Sequence, residues 1–149
     1  MKFRYSIIYP DKMFIERKNS PITGDEVLNI AKNYPWIEQF ELSDKLNSNY
    51  PSLDFICIDS DRRYDPEIYS GEERSFRLQA SWYENKKLEF TLYFGLPYRV
   101  KVLFGILGET EKYAVESIMG FSFEESLKYL EFFVNGNYKM IEEIYKNRY

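Results

Sequence analysis

The sequence predicts an α+β fold: a single domain over residues 1–149, built on an antiparallel β-sheet with one face covered by helices. Three observations predict it. Apolar and polar side chains alternate between Ser75 and Phe104, capping boxes stand at Thr23 and Ser122, and strand-rich sequence gives way to helix-rich sequence without regular βαβ repeats.

Taken in order, Met1-Lys2-Phe3-Arg4-Tyr5-Ser6-Ile7-Ile8-Tyr9 alternates, as a first strand does and a signal peptide does not. Residues 12–17 read as a second short strand. Thr23-Gly24-Asp25-Glu26 has the capping-box form, with Ile22 and Val27 placed to staple across it, so a helix is expected from Gly24 to Asn33 and Tyr34-Pro35 ends it. Residues 36–42 and 53–59 are short apolar runs that read as strands. The single cysteine, Cys57, lies within the second of these runs and is expected to be an inert core thiol. A reactive cysteine wants an electropositive, partly exposed site and commonly a histidine.

The central alternation sets Phe76, Leu78, Ala80 and Trp82 against Arg77, Gln79, Ser81 and Tyr83. It then sets Leu88, Phe90, Leu92 and Phe94 against Glu89, Thr91 and Tyr93, and Val100, Val102 and Phe104 against Arg99 and Lys101. All three apolar rows fall on even positions. Opposed residues of an antiparallel pair share a face, so each connection needs an odd number of loop residues. Three-residue loops at Asn85-Lys86-Lys87 and Gly95-Leu96-Pro97 meet that condition, and pair Trp82 with Phe90 and Leu92 with Val100. Beyond them, Gly105 and Gly108 read as a strand-to-helix connection, and Ala114, Val115 and Ile118 as one face of a helix between Glu109 and Met119. The Ser122 capping box opens a helix with Phe123, Leu127, Leu130 and Val134 on one face. Asn135-Gly136-Asn137 stops it, and Tyr138, Ile141, Ile144 and Tyr145 mark a last helix.

Composition bounds the chemistry. With 149 residues, 44% hydrophobic and 19% aromatic, the chain can bury a core without staples. The absence of histidine excludes Ser-His-Asp and Cys-His catalysis and the HExxH zinc helix. One cysteine allows no intramolecular disulfide, and nothing approaches the ~18 apolar residues of a membrane span. A cytoplasmic protein with no membrane partner is the expectation.

Asp59-Ser60-Asp61 follows the run ending at Ile58. Two carboxylates at this spacing could share a hard divalent cation, as in the Asp-x-Asp of metal-dependent sugar-nucleotide transferases. Two are too few for a calcium cage, however, and Tyr64 and Ser70 stand where an EF-hand needs Gly and Glu. No metal and no other cofactor is expected.

The outward row Arg77, Tyr83, Tyr93, Arg99 and Lys101 is a candidate binding face, since bases stack on aromatics and phosphates pair with cations. Net charge −4, a pI near 5.1 and the intervening Glu89 argue against nucleic acid.

The first candidate is residues 59–73. Asp59, Asp61, Asp65, Glu67, Glu72 and Glu73 stand against Arg62 and Arg63, a local excess of four negative charges that equals the net charge of the whole chain. Tyr64 and Tyr69 are interleaved with them. Carboxylates steer a basic protein partner and tyrosines anchor it. Non-catalytic protein binding is therefore expected, of the physical type of immunity proteins that occlude cationic toxins. The alternative is a small histidine-free enzyme using Asp, Glu and Tyr, with a divalent metal at Asp59 and Asp61. The sequence leaves the oligomeric state open.

Overall fold

Apolar side chains align in continuous rows across a six-stranded antiparallel sheet. The computed structural model describes residues 1–58, 74–82 and 87–147, apart from the side chains of Trp82, residues 96–101 and residues 109–113. The elements are β1 (Lys2–Ile8), β2 (Glu16–Ile22), α1 (Gly24–Asn33), α2 (Trp36–Leu46), β3 (Ser52–Ile58), β4 (Ser75–Trp82), β5 (Leu88–Lys101), β6 (Glu109–Phe121), α3 (Phe123–Val134) and α4 (Tyr138–Asn147). The strands lie in the order β2-β1-β3-β4-β5-β6. The fold is α+β, with helices packed on one face of the sheet.

Register explains the core. Ile7 faces Leu53, Leu53 faces Leu78, Leu78 faces Leu92, and Leu92 faces Ile118, so one apolar row crosses five strands. A second row runs from Tyr5 through Phe55 and Phe76 to Phe94. Helix α3 lies over these rows. The ring of Phe133 stands 5.6 Å from Phe3, 5.5 Å from Phe76 and 6.2 Å from Phe94, gathering three strands under one side chain. Tyr145 of α4 donates its hydroxyl to the carbonyl of Glu116 at 3.2 Å, which ties that helix to β6.

Both capping boxes form. Thr23 accepts from the Glu26 amide and Glu26 accepts from the Thr23 amide, and Ser122 and Glu125 repeat the arrangement. Gly24 lets α1 approach α3, since a Cβ there would lie 3.2 Å from that of Val134. Gly136, at φ +74°, ends α3 as the sequence predicts.

Several expectations are corrected. Residues 36–42 belong to α2: Trp36, Phe40 and Ser43 are buried at helical spacing, and Asn47 closes the helix in the left-handed conformation. The second strand starts at Glu16, and Met13, Phe14 and Ile15 before it are exposed. No turn occurs at Gly95-Leu96-Pro97. Strand β5 continues to Lys101, so Leu92 faces Ile118 and not Val100, and Val102 and Phe104 fall in a hairpin tip. Residues 109–119 form strand and not helix, because eleven positions of β6 find partners along β5.

The parity argument itself holds at the first connection. Trp82 faces Leu88 rather than Phe90, so five residues, 83–87, separate the strands instead of three, and five is also odd. On β6 parity is broken by a bulge. Gly120, at φ +89°, accommodates an extra residue, so Ile118 and Phe121 both bury on the core face opposite Leu92 and Phe90.

Phe133→Ala should cost about 3–5 kcal/mol, since it empties the site at which three strands meet one helix. Phe14→Ala, at a side chain 79% exposed, should change stability by less than about 0.5 kcal/mol. Urea denaturation of both variants is the check.

Candidate functional site

The residues of the first candidate, Asp59, Asp61, Tyr64, Asp65, Glu67, Tyr69, Glu72 and Glu73, lie outside the described residues. Their flanks do not. Strand β3 ends at Ile58 and β4 starts at Ser75, so the segment leaves and rejoins the sheet at one end. Beside it, the guanidinium of Arg74 lies 4.7 Å over the ring of Tyr138. Burial pushes the Tyr138 phenol up to about 12, and its oxygen is 3.5 Å from Met1 Sδ. Cys57 is buried in this corner, its Sγ 3.9 Å from Met1 Sδ, which is the core position expected of it.

At the same end, β5 and β6 continue without the rest of the sheet. Ser75 opposite Gly95 is the last pair between β4 and β5, whereas β5 and β6 stay paired out to Lys101 and Glu109. The resulting two-stranded ribbon spans about 20 Å at 3.3–3.4 Å per residue. Pro97 is tolerated in it because, among the described residues, no strand pairs with the other side of β5 there. The ribbon closes through Val102-Leu103-Phe104-Gly105-Ile106-Leu107-Gly108, a tip without a polar side chain. Its exposures are high: Leu103 61%, Phe104 99%, Ile106 83% and Leu107 67%.

Its backbone is closed on itself, with Val102 N donating to Gly108 O and Ile106 N to Leu103 O. Leu103 at φ 47° and Phe104 at φ 58° occupy the left-handed region that non-glycine residues avoid. A strained, apolar, exposed turn is a feature of surfaces that meet something. The sequence reading missed it. Four large apolar residues around Gly105 were the available signal, and the strand-to-helix reading of the two glycines hid it.

The second candidate face divides. Arg77 and Tyr93 are cross-strand neighbours on the outward face, with the guanidinium 5.6 Å from the ring centroid. Asp54, opposite Arg77 on β3, binds the guanidinium at 3.2 Å. A row Asp54–Arg77–Tyr93 therefore crosses three strands, and the charge on Arg77 is partly spent inside the sheet. Burial raises the Asp54 carboxyl above its ordinary range, and the nearby Arg77 only partly opposes this. Arg99 and Lys101 are not part of this row. They sit on the projecting ribbon, at register positions opposite Glu111 and Glu109. Tyr83 lies outside the described residues.

The outward face is also less open than alternation alone implies. Ser52, Ser81 and Thr91 on it are buried, and the hydroxyls of Ser81 and Thr91 lie 3.4 Å apart. Among the described residues, no cluster of three or more His, Cys, Asp or Glu side chains is poised to hold a metal, and no helix is long and apolar enough to cross a membrane.

Comparison with family models, with curated proteins and with solved structures finds no match in any of the three. Function is therefore argued from the residues.

Asp54 has a measurable signature. A carboxyl whose folded pKa is raised favours the folded state in its protonated form, and that contribution is lost as pH rises through the folded pKa. The stability of the wild type relative to Asp54→Asn should therefore fall as pH rises above the ordinary value of 3.8. Denaturant titrations across the acid range test it. A relative stability that rises instead would mean that pairing with Arg77 outweighs burial.

Proposed function

We propose that this protein is a non-catalytic protein-binding module, of the type of an immunity inhibitor that occludes a basic partner. The observation that carries the reading is the concentration of charge. Residues 59–73 hold six acids against two bases in a chain whose net charge is −4. A local field of that kind raises encounter rates with a cationic partner. Tyr64 and Tyr69 within the same segment supply the apolar anchors that charge alone lacks.

The fold supports the reading by position. The segment is tethered at Ile58 and Ser75, the end of the sheet from which the β5–β6 ribbon projects. A cytoplasmic location belongs to the same proposal, since a chain with one cysteine is suited to a reducing compartment.

With a partner captured by pull-down, association kinetics should separate the two contributions. Glu72→Lys combined with Glu73→Lys should slow association, most strongly at low salt, and Tyr64→Ala should speed dissociation by about tenfold or more. Affinities unchanged in all of these variants, or unaffected by salt, would remove residues 59–73 from the interface and leave the outward pair Arg77 and Tyr93 to be tested next.

A further inference from the structure

The two edges of the sheet are treated differently. Strand β2 carries Glu16, Arg17 and Lys18 at its start and Pro21 near its end, which are devices that discourage pairing with another strand. Strand β6 is thirteen residues long and has no proline, and among the described residues no strand pairs with its outer edge. It exposes Val115 and Met119, 55% and 57%, on the outward side of the sheet. A long open edge with exposed apolar residues is a template for a further strand.

We propose that this edge is filled by β6 of a second copy of the chain, paired antiparallel about a two-fold axis at Ala114. An axis perpendicular to the sheet keeps each face on its own side, so the axis must pass through a residue rather than between two. Centred on Ala114, the pairing sets Lys112 opposite the partner's Glu116 and Glu116 opposite the partner's Lys112. Tyr113 and Val115 meet their counterparts in the same reciprocal way on the other face. Unlike charges directly opposite each other stabilise a pair of strands, and like charges destabilise it.

Charge also selects the register. Moving the axis one residue, to Tyr113 or Val115, loses both charge pairs. Moving it two, to Lys112 or Glu116, sets like charges face to face. The Ala114 register brings Glu109 opposite the partner's Met119, so the tip from Leu103 to Leu107 runs on toward the partner's Phe121. Apolar surface that is in water in one copy would there meet the other copy. An isologous interface of this kind uses the same patch twice, as a closed two-fold assembly requires.

Sedimentation velocity on the whole chain tests it. The wild type should sediment as a dimer of the 18.0 kDa chain. Lys112→Glu should raise the dimer dissociation constant by about tenfold or more, because it turns both charge pairs across the axis into pairs of carboxylates. The double reversal, Lys112→Glu with Glu116→Lys, should restore the dimer to within about threefold of the wild type. Thermal melts followed by circular dichroism establish that each variant is folded, and Val115→Lys provides a second variant on the opposite face that should also dissociate the dimer. A chain that stays monomeric up to about 100 μM overturns the proposal, as does a dimer that the single reversal leaves intact or that the double reversal fails to rescue.

Discussion

The contact of Phe133 with Phe3, Phe76 and Phe94 is the constraint on which the rest of the structure depends. These three phenylalanines come from β1, β4 and β5, and their rings converge on one side chain of α3. The strands must therefore be in register before the helix can seat, and the helix must seat before the rows are shielded from water. Side chains in such a site interdigitate at near-crystalline density, so the sheet cannot slip by one residue without expelling the ring. The Ser122 capping box sets where α3 starts, and so which of its residues meets this convergence.

The sheet is two structures joined end to end. Between Phe90 and Phe94, β5 is a central strand flanked by β4 and β6, with Phe90, Leu92 and Phe94 buried. Beyond Gly95 it keeps β6 and loses β4. The loss changes what the sequence must supply there. Charges become acceptable, a proline can be tolerated, and the tip carries only apolar side chains. The bulge at Gly120 marks the other limit of β6, where the strand turns its last residue back toward the core before α3 begins.

Local signals were legible where the chemistry is local. Thr23 with Glu26 and Ser122 with Glu125 close their hydrogen bonds within four residues, and both helices start where these residues stand. Alternation identified β1 as a strand and the buried sides of β4 and the first half of β5, a short apolar run identified β3, and parity required an odd connection between Trp82 and Leu88. The misreadings fell where long-range pairing outweighs local preference. Ala114, Val115 and Ile118 have helical spacing, yet eleven cross-strand partners along β5 hold them extended. Gly95-Leu96-Pro97 has the composition of a turn, and is strand because Val115, Ala114 and Tyr113 of β6 pair with it. Trp36-Ile37-Glu38-Gln39-Phe40 is too short a window to separate strand from helix until the burial of Ser43 extends the period. The acidic segment was legible as charge, whereas the ribbon tip was not: its meaning lies in the exposure of Leu103, Phe104, Ile106 and Leu107, which follows from the pairing of β5 with β6 beyond Gly95.

The order of the strands bears on how the chain is made. Apart from β2 and β3, which lie on either side of β1, each strand lies beside the next one in sequence, so the sheet can extend one strand at a time as a chain emerges from the ribosome. The cover does not follow the same schedule. Phe133 and Tyr145, which close the face over Phe76 and Phe94, lie in the last two helices. A nascent chain that has completed β6 therefore carries a finished sheet whose aromatic face lacks the cover of α3 and α4 over Phe76 and Phe94 until about two dozen further residues clear the exit tunnel, and exposed apolar surface in that interval favours aggregation unless a chaperone shields it.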